Sequence, residues 1–172
     1  MSEDIQMERA KELLATMEHS VDESDRGITL IIAAHIEECL RRIIESFLID
    51  SKNVKELFEG PYAPFGSLSG KTKAAFVMGL ITKDEVKKID AIRQVRNVFA
   101  HEISAGFDHP KIEKICRPIV EDWGMIARDS FLHMAQNTVP PLLYRDLEVI
   151  KWKRPELTNE YIHLQGDDQN DS

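Results

Sequence analysis

Aromatic residues make up only 7% of the 172 residues, and the two cysteines, Cys39 and Cys116, fall in no Cys-x-x-Cys pair. Few aromatics, with glycines and prolines gathered between periodic stretches, argue against a sheet-rich fold and for helices. The N-terminus lacks a basic, apolar leader, so the chain reads as cytoplasmic and the cysteines as buried thiols rather than a disulfide or ligand pair. The longest nearly unbroken apolar run, Ile28 to Ala34, is far short of the ~20 residues that a bilayer-crossing helix needs. Positive charge is in deficit as well: 22 Lys and Arg stand against 30 Asp and Glu, a formal net charge of −8. Such a chain gains little from nonspecific attraction to nucleic acid, which depends on cations replacing the counterions of phosphate. Its densest basic stretches, Lys83 to Arg96 and Lys151 to Arg154, are interrupted or flanked by Asp84, Glu85, Asp90 and Glu148.

Familiar chemical motifs are equally sparse. The six histidines show no His-Glu-x-x-His spacing, so neither a metal nor another cofactor is expected. No serine lies in a nucleophile-elbow pattern. The segment Gly66-Ser67-Leu68-Ser69-Gly70-Lys71-Thr72 has three residues between its glycines, where a phosphate-cradling loop needs four, and it follows a proline loop instead of a strand. It reads as the capped start of a helix.

The 42% apolar content suffices for one packed domain. The expected fold is all-α: a helical bundle over residues 1–137, a C-terminal arm over 138–165 packed on the bundle or on a second subunit, and a polar, disordered tail over 166–172. Apolar periodicity predicts a first helix from Ile5 to Met17 and a long one from Ile28 to Ile49, capped by Ser24 or Asp25, with Ile32, Ile36, Cys39, Ile43 and Phe47 inward. Glu37 with Arg41, Glu38 with Arg42, and Arg41 with Glu45 would pair along its solvated face. A short helix follows at Val54 to Phe58. Next comes one at Lys71 to Leu80, capped by Ser67 or Ser69, with Ala74, Ala75, Val77 and Met78 packing. Thr82 and Glu85 form a capping box for a helix reaching His101. The last bundle helix starts near Asp108, His109 and Pro110, restarts or kinks at Pro118, and runs to about Ala135. Pro140 and Pro141 end the regular bundle.

One segment stands out: Asp90-Ala91-Ile92-Arg93-Gln94-Val95-Arg96-Asn97-Val98-Phe99-Ala100-His101. Arg96 lies two turns from Ile89 and from Ile103, so it projects near the apolar stripe. A guanidinium cannot shed its charge, and burying it requires a partner. The structural reading makes Arg96 a buried tether to a carboxylate such as Glu37 or Glu38, with Asn97 bonding loop carbonyls and His101 favouring the helix C-terminus. Asp90, Gln94, Asn97 and His101 share one polar face and could form a hydrogen-bonded row. Partner-binding candidates are Arg93 and Arg96, together with Tyr62 and Phe65 on the proline-stiffened turn Gly60 to Gly66, which either lodge against the bundle or present a contact surface.

The segment Arg96-Asn97-Val98-Phe99-Ala100-His101 resembles the arginine-polar-three-residues-histidine signature of HEPN domains, helical bundles that often dimerise and include metal-independent endoribonucleases. That resemblance implies that Arg96 would bind a scissile phosphate, Asn97 would orient it, and His101 would move a proton. On one unbroken helix Arg96 and His101 point about 140° apart, so they converge only if the helix ends early or two chains contribute.

A broader likeness spans roughly residues 25 to 104. Asp25-Arg26-Gly27, then Glu59-Gly60-Pro61-Tyr62-Ala63-Pro64-Phe65-Gly66-Ser67-Leu68-Ser69, then Lys73, Ala74 and Gly79-Leu80-Ile81, and finally Ile92 to His101 together resemble the mannitol operon repressor family. The resemblance implies an all-helical regulator of mannitol uptake and use without a standard helix-turn-helix. With an acidic chain and no basic recognition helix, regulation is expected through protein contact, with another regulatory or transport protein, and in a homodimer. The alternative is a HEPN-like metal-independent ribonuclease, or a component of a toxin-antitoxin pair, using Arg96 and His101, and only then would RNA be a partner.

Overall fold

The longest helix begins where the sequence offers a cap. Ser24 accepts a hydrogen bond from the Gly27 N–H at 3.1 Å, and α1 then runs over Asp25–Phe47. The computed structural model describes residues 4, 5, 7–9, 11, 23–117 and 126–156, and among them there is no strand. The remaining helices are α2 (Leu68–Val77), α3 (Lys83–His101), α4 (Pro110–Cys116), α5 (Ala127–Gln136), α6 (Val139–Leu143) and α7 (Arg145–Val149), with 3-10 turns at Lys52–Leu57 and Ile150–Trp152. The chain is an all-α bundle with a less regular C-terminal region. The Ile5–Met17 helix falls largely, and the Pro118 restart, Tyr161 and the 166–172 tail entirely, outside the described residues. No helix among the described residues is long and apolar enough to cross a membrane.

Helix α1 is the axis of the bundle, because α2, α3, α6 and α7 all pack against it. Its buried stripe is therefore wider than a single row: Ile28, Thr29, Ala33, Ile36, Cys39, Leu40, Ile43 and Ile44, with Ile32 and Phe47 half-buried at the margins. Both cysteines are free and buried, and burial pushes Cys116 up to about 11. Burial also raises Cys39, against the opposing Arg42 guanidinium. Of the charge pairs expected on α1, Arg41 with Glu45 forms at 2.9 Å. Glu37 instead meets Lys71 of α2 at 2.8 Å, and Arg42 lies against the Cys39 Sγ at 3.5 Å.

Helix α2 starts and stops about a turn earlier than the spacing indicates. Ser67 accepts from the Gly70 N–H at 3.1 Å and opens the helix. Gly79, at φ +75°, closes it. The Gly79 N–H reaches the Phe76 carbonyl at 2.9 Å and the Leu80 N–H reaches Ala75 at 2.8 Å, a Schellman ending in which Leu80 and Ala75 are both buried. Val77, expected to pack, is left 84% exposed. Helix α3 has the expected capping box: the Glu85 N–H donates to Thr82 at 3.2 Å, and the Thr82 N–H donates to the Glu85 carboxylate at 2.7 Å. It buries Ile89, Ala91, Ile92, Val95 and Phe99, and α4 and α5 close its far side.

Pro140 and Pro141 open a helix instead of ending the bundle, because both lie in the first turn of α6, where a missing N–H breaks no helical bond. Residues 139–149 are consequently two short helices, both packed on α1. Leu142, Leu143 and Val149 are buried, while Ile150 and Trp152 are exposed. Arg145 donates to both oxygens of Glu85, at 3.0 and 2.8 Å, and to the Leu80 carbonyl at 3.2 Å, so α7 is fastened to the start of α3. Arg9 grips Asp146 through two hydrogen bonds of 2.7 and 2.8 Å.

Candidate functional site

The structure overturns the reading of Arg96 as a buried tether. Arg96 is exposed, its one hydrogen bond runs from Nη1 to the Asn97 Oδ1 at 3.2 Å, and it has no ion pair among the described residues. Helical phase alone would bury it, since Arg96 lies about 20° from the angle of the buried Ile89; it is exposed because a groove opens at its level between α1 and the start of α2. Ile103, which would have extended the stripe past Arg96, lies beyond the end of α3 and is 95% exposed. Glu37 is taken by Lys71, and no hydrogen bond links Arg96 to Glu37 or Glu38.

The tether role belongs to Arg26. Its guanidinium donates to the carbonyls of Phe99, Glu102 (3.0 Å) and Ile103 (2.9 Å), satisfying the end of α3 from the start of α1. Asp25 beside it accepts from Arg128 of α5 at 3.2 Å and from the Phe107 N–H at 3.4 Å. The polar row on α3 does not form either. Asp90 pairs with Arg93 at 3.1 Å and Asn97 with Arg96, while His101 stands exposed at the last position of α3. Nearby, Glu102 is held below the usual carboxylate range, first by Lys111 at 2.5 Å, with His109 at 2.6 Å contributing.

Two grooves flank the outer side of α3. One, of about 610 Å³, opens between α1, the start of α2 and α3. Its walls are Leu30, Ala33, Ala34 and Glu37 of α1, the Gly66–Ser69 segment, and Arg93, Arg96 and Asn97 of α3. The other, of about 600 Å³, lies between α3 and α4 and is lined by Lys87, Gln94, Lys111 and Lys114 over Ala91, Val98 and Ile115. Asn97 borders both, and His101 borders neither. The structure thus brings Arg93, Arg96 and Asn97 together and leaves His101 apart from them. Tyr62 is 95% exposed, whereas Phe65 is half-buried, edge-on to Phe58 with ring centroids 5.6 Å apart. Phe65 therefore packs, and Tyr62 does not.

Ser67, Ser69, Glu37 and Leu30 were not candidates on sequence grounds, yet they share the first groove with the two arginines. The sequence signals a capped helix at Ser67, but nothing in it shows that this cap abuts α3. Lys71, in the segment with the look of a phosphate loop, is buried against Glu37 and serves the packing of α2 on α1. Among the described residues no group of three or more His, Cys, Asp or Glu is placed to hold a metal ion.

These features define an all-helical protein with paired polar grooves on one helix. No family model matches the chain, and no curated protein or solved structure matches it.

Proposed function

We propose that the protein is a noncatalytic regulator of carbohydrate metabolism, of the kind implied by its resemblance to the mannitol operon repressor family, acting through contacts with a regulatory or transport protein. The observation that carries the reading is the division of labour among the residues of that resemblance. Asp25, Arg26, Ser67 and Phe99 are consumed in holding α1, α2 and α3 together, whereas Arg96 and Tyr62 are exposed and, among the described residues, bind nothing that the fold requires. Side chains that the fold does not need are free for recognition. Against direct operator reading stand the net charge of −8 and the position of α3, which is flanked by α1 and α4 and so does not protrude as a recognition helix would.

The test is transcript measurement in the source cell. Deleting the gene is expected to change mannitol-uptake transcripts, wild-type protein to restore them, and Arg96→Ala, which leaves the fold intact, to fail to do so. Unchanged transcripts in the deletion strain would remove the regulatory reading.

A second reading, a metal-independent ribonuclease, draws on the exposed Arg96–Asn97 pair and on the exposed His101 of the same helix. Since Arg96 and His101 diverge by about 140° around α3, such a site would need two copies of the chain in a homodimer. RNA cleavage in the presence of a chelator, lost in both Arg96→Ala and His101→Ala, would replace the first reading with this one.

A further inference from the structure

We infer that the groove between α1, the start of α2 and α3 binds a small phosphate ester whose carbon skeleton is rich in hydroxyl groups. The choice of skeleton is consistent with, and rests on, the regulatory reading above; the phosphate rests on the groove itself.

Charge comes first. Two charged side chains besides Arg96 line the groove, Glu37 and Arg93, and each has a carboxylate or ammonium partner. Glu37 is neutralised by Lys71 at 2.8 Å, a lysine that is itself 5% exposed. Asp90 takes only the Nε of Arg93, at 3.1 Å, and no other described residue bonds that guanidinium's terminal nitrogens. Arg96 has no carboxylate partner among the described residues and spends one donor on Asn97. The groove therefore holds a surplus cation with a second guanidinium on the preceding turn of the same helix, inside a chain whose net charge is −8. Two planar, multi-donor groups on one wall match a tetrahedral oxyanion, which accepts charge-assisted hydrogen bonds from both. Across from them, Leu68 and Ser69 are the first residues of the ten-residue α2, and first-turn amides have no acceptor within their own helix.

The remaining lining decides what the phosphate is attached to. None of the lining residues is aromatic, so the groove offers no face on which a nucleobase could stack. What it does offer is Ser69, Asn97 and Glu37, groups that exchange hydrogen bonds with hydroxyls, above a short aliphatic floor of Leu30, Ala33 and Ala34. A volume of about 610 Å³ lies within the ordinary range for small-molecule sites. The α3–α4 groove differs on these points: its cations are lysines, point charges without the fork geometry, over a floor of Ala91, Val98 and Ile115.

Calorimetric titration of the purified full chain tests this, with a hexitol 1-phosphate, the parent hexitol, inorganic phosphate and AMP as probes. The hexitol phosphate is expected to bind saturably, at least about tenfold tighter than each of the other three, with affinity falling as salt is added. Arg93→Ala and Arg96→Ala should each weaken it about tenfold or more, the scale of one lost charge-assisted hydrogen bond. Ala34→Trp, which fills the groove from an exposed position without touching a charge, should abolish binding, and Lys114→Ala, in the other groove, should leave it unchanged. Circular dichroism confirms that each variant is folded. Absence of saturable heat in the millimolar range, equal affinity in Arg96→Ala, or AMP or inorganic phosphate binding as tightly as the hexitol phosphate would each overturn the proposal. The titration needs no transcriptional readout. Binding through Arg96 upholds the site even if gene deletion leaves transcripts unchanged, and altered transcripts without binding remove the site alone.

Discussion

At the level of single residues, two arginines exchange roles. Arg26 sits in a short tripeptide at a helix start and carries three carbonyls, while Arg96, on the edge of an apolar stripe, is solvent-facing. Arg26→Ala should therefore lower unfolding free energy by about 2–3 kcal/mol, since it orphans carbonyls at the end of α3, whereas Arg96→Ala should stay within about 0.5 kcal/mol. Urea denaturation of the two variants checks both. Glu85 carries a pH-dependent share of stability. Its burial alone would raise its pKa, but the Thr82 N–H and the bidentate Arg145 together outweigh burial and hold the carboxyl below the ordinary glutamate value. A carboxyl depressed in the folded state favours folding wherever it is ionised, so its contribution is complete above about pH 4.3 and is lost as pH falls through the folded value. Glu85→Gln should accordingly be less stable than wild type by about 1–3 kcal/mol at pH 7, with the gap narrowing as acid is added below about pH 4.3. Thermal melts across a pH series measure it.

Among the elements, the boundaries show which local signals carry weight. The Thr82–Glu85 capping box is a short-range device and is legible in four consecutive residues, so the start of α3 falls where expected. The start of helix α2 is ambiguous in the sequence because Ser67 and Ser69 both offer caps, and so is its end, because Lys71 to Leu80 contains apolar residues throughout. What stops the helix is Gly79, whose positive φ admits the Schellman hydrogen bonds. An added Cβ at Gly79 would meet nothing within 4 Å, so any cost is purely one of backbone conformation. Gly79→Ala should thus destabilise by about 1–2 kcal/mol, read as a lower Tm, without altering the circular dichroism of the native state. The prolines at 140 and 141 teach the reverse lesson: the same residues that terminate a helix from within begin one in its first turn.

For the molecule as a whole, α1 is shared by two halves of the chain. Helices α2 and α3 cover one part of it and α6 and α7 another, and Leu142 of α6 is 1% exposed in that contact. Leu142→Ala should cost about 2–5 kcal/mol through lost burial and the cavity left behind, a loss that chemical denaturation would detect as one cooperative transition at lower denaturant. Two separate transitions would show instead that the C-terminal helices unfold independently of the bundle.

Helix content, the capping box at Thr82 and Glu85, the buried thiols and the shortness of every apolar run all follow from information spread over a few neighbouring residues: apolar period, cap chemistry, and charge. The groove does not. It forms where Leu30 and Ala34, Ser67 and Ser69, and Arg93 and Arg96 converge from three segments far apart in the chain, and periodicity places a residue on a helix face without saying which neighbour meets that face. The fate of Arg96 turned on the same point, because a residue at the edge of a stripe is buried or solvated according to how closely the adjoining helices approach. Here α1 and α2 stand apart beside it, and the guanidinium lines the opening between them.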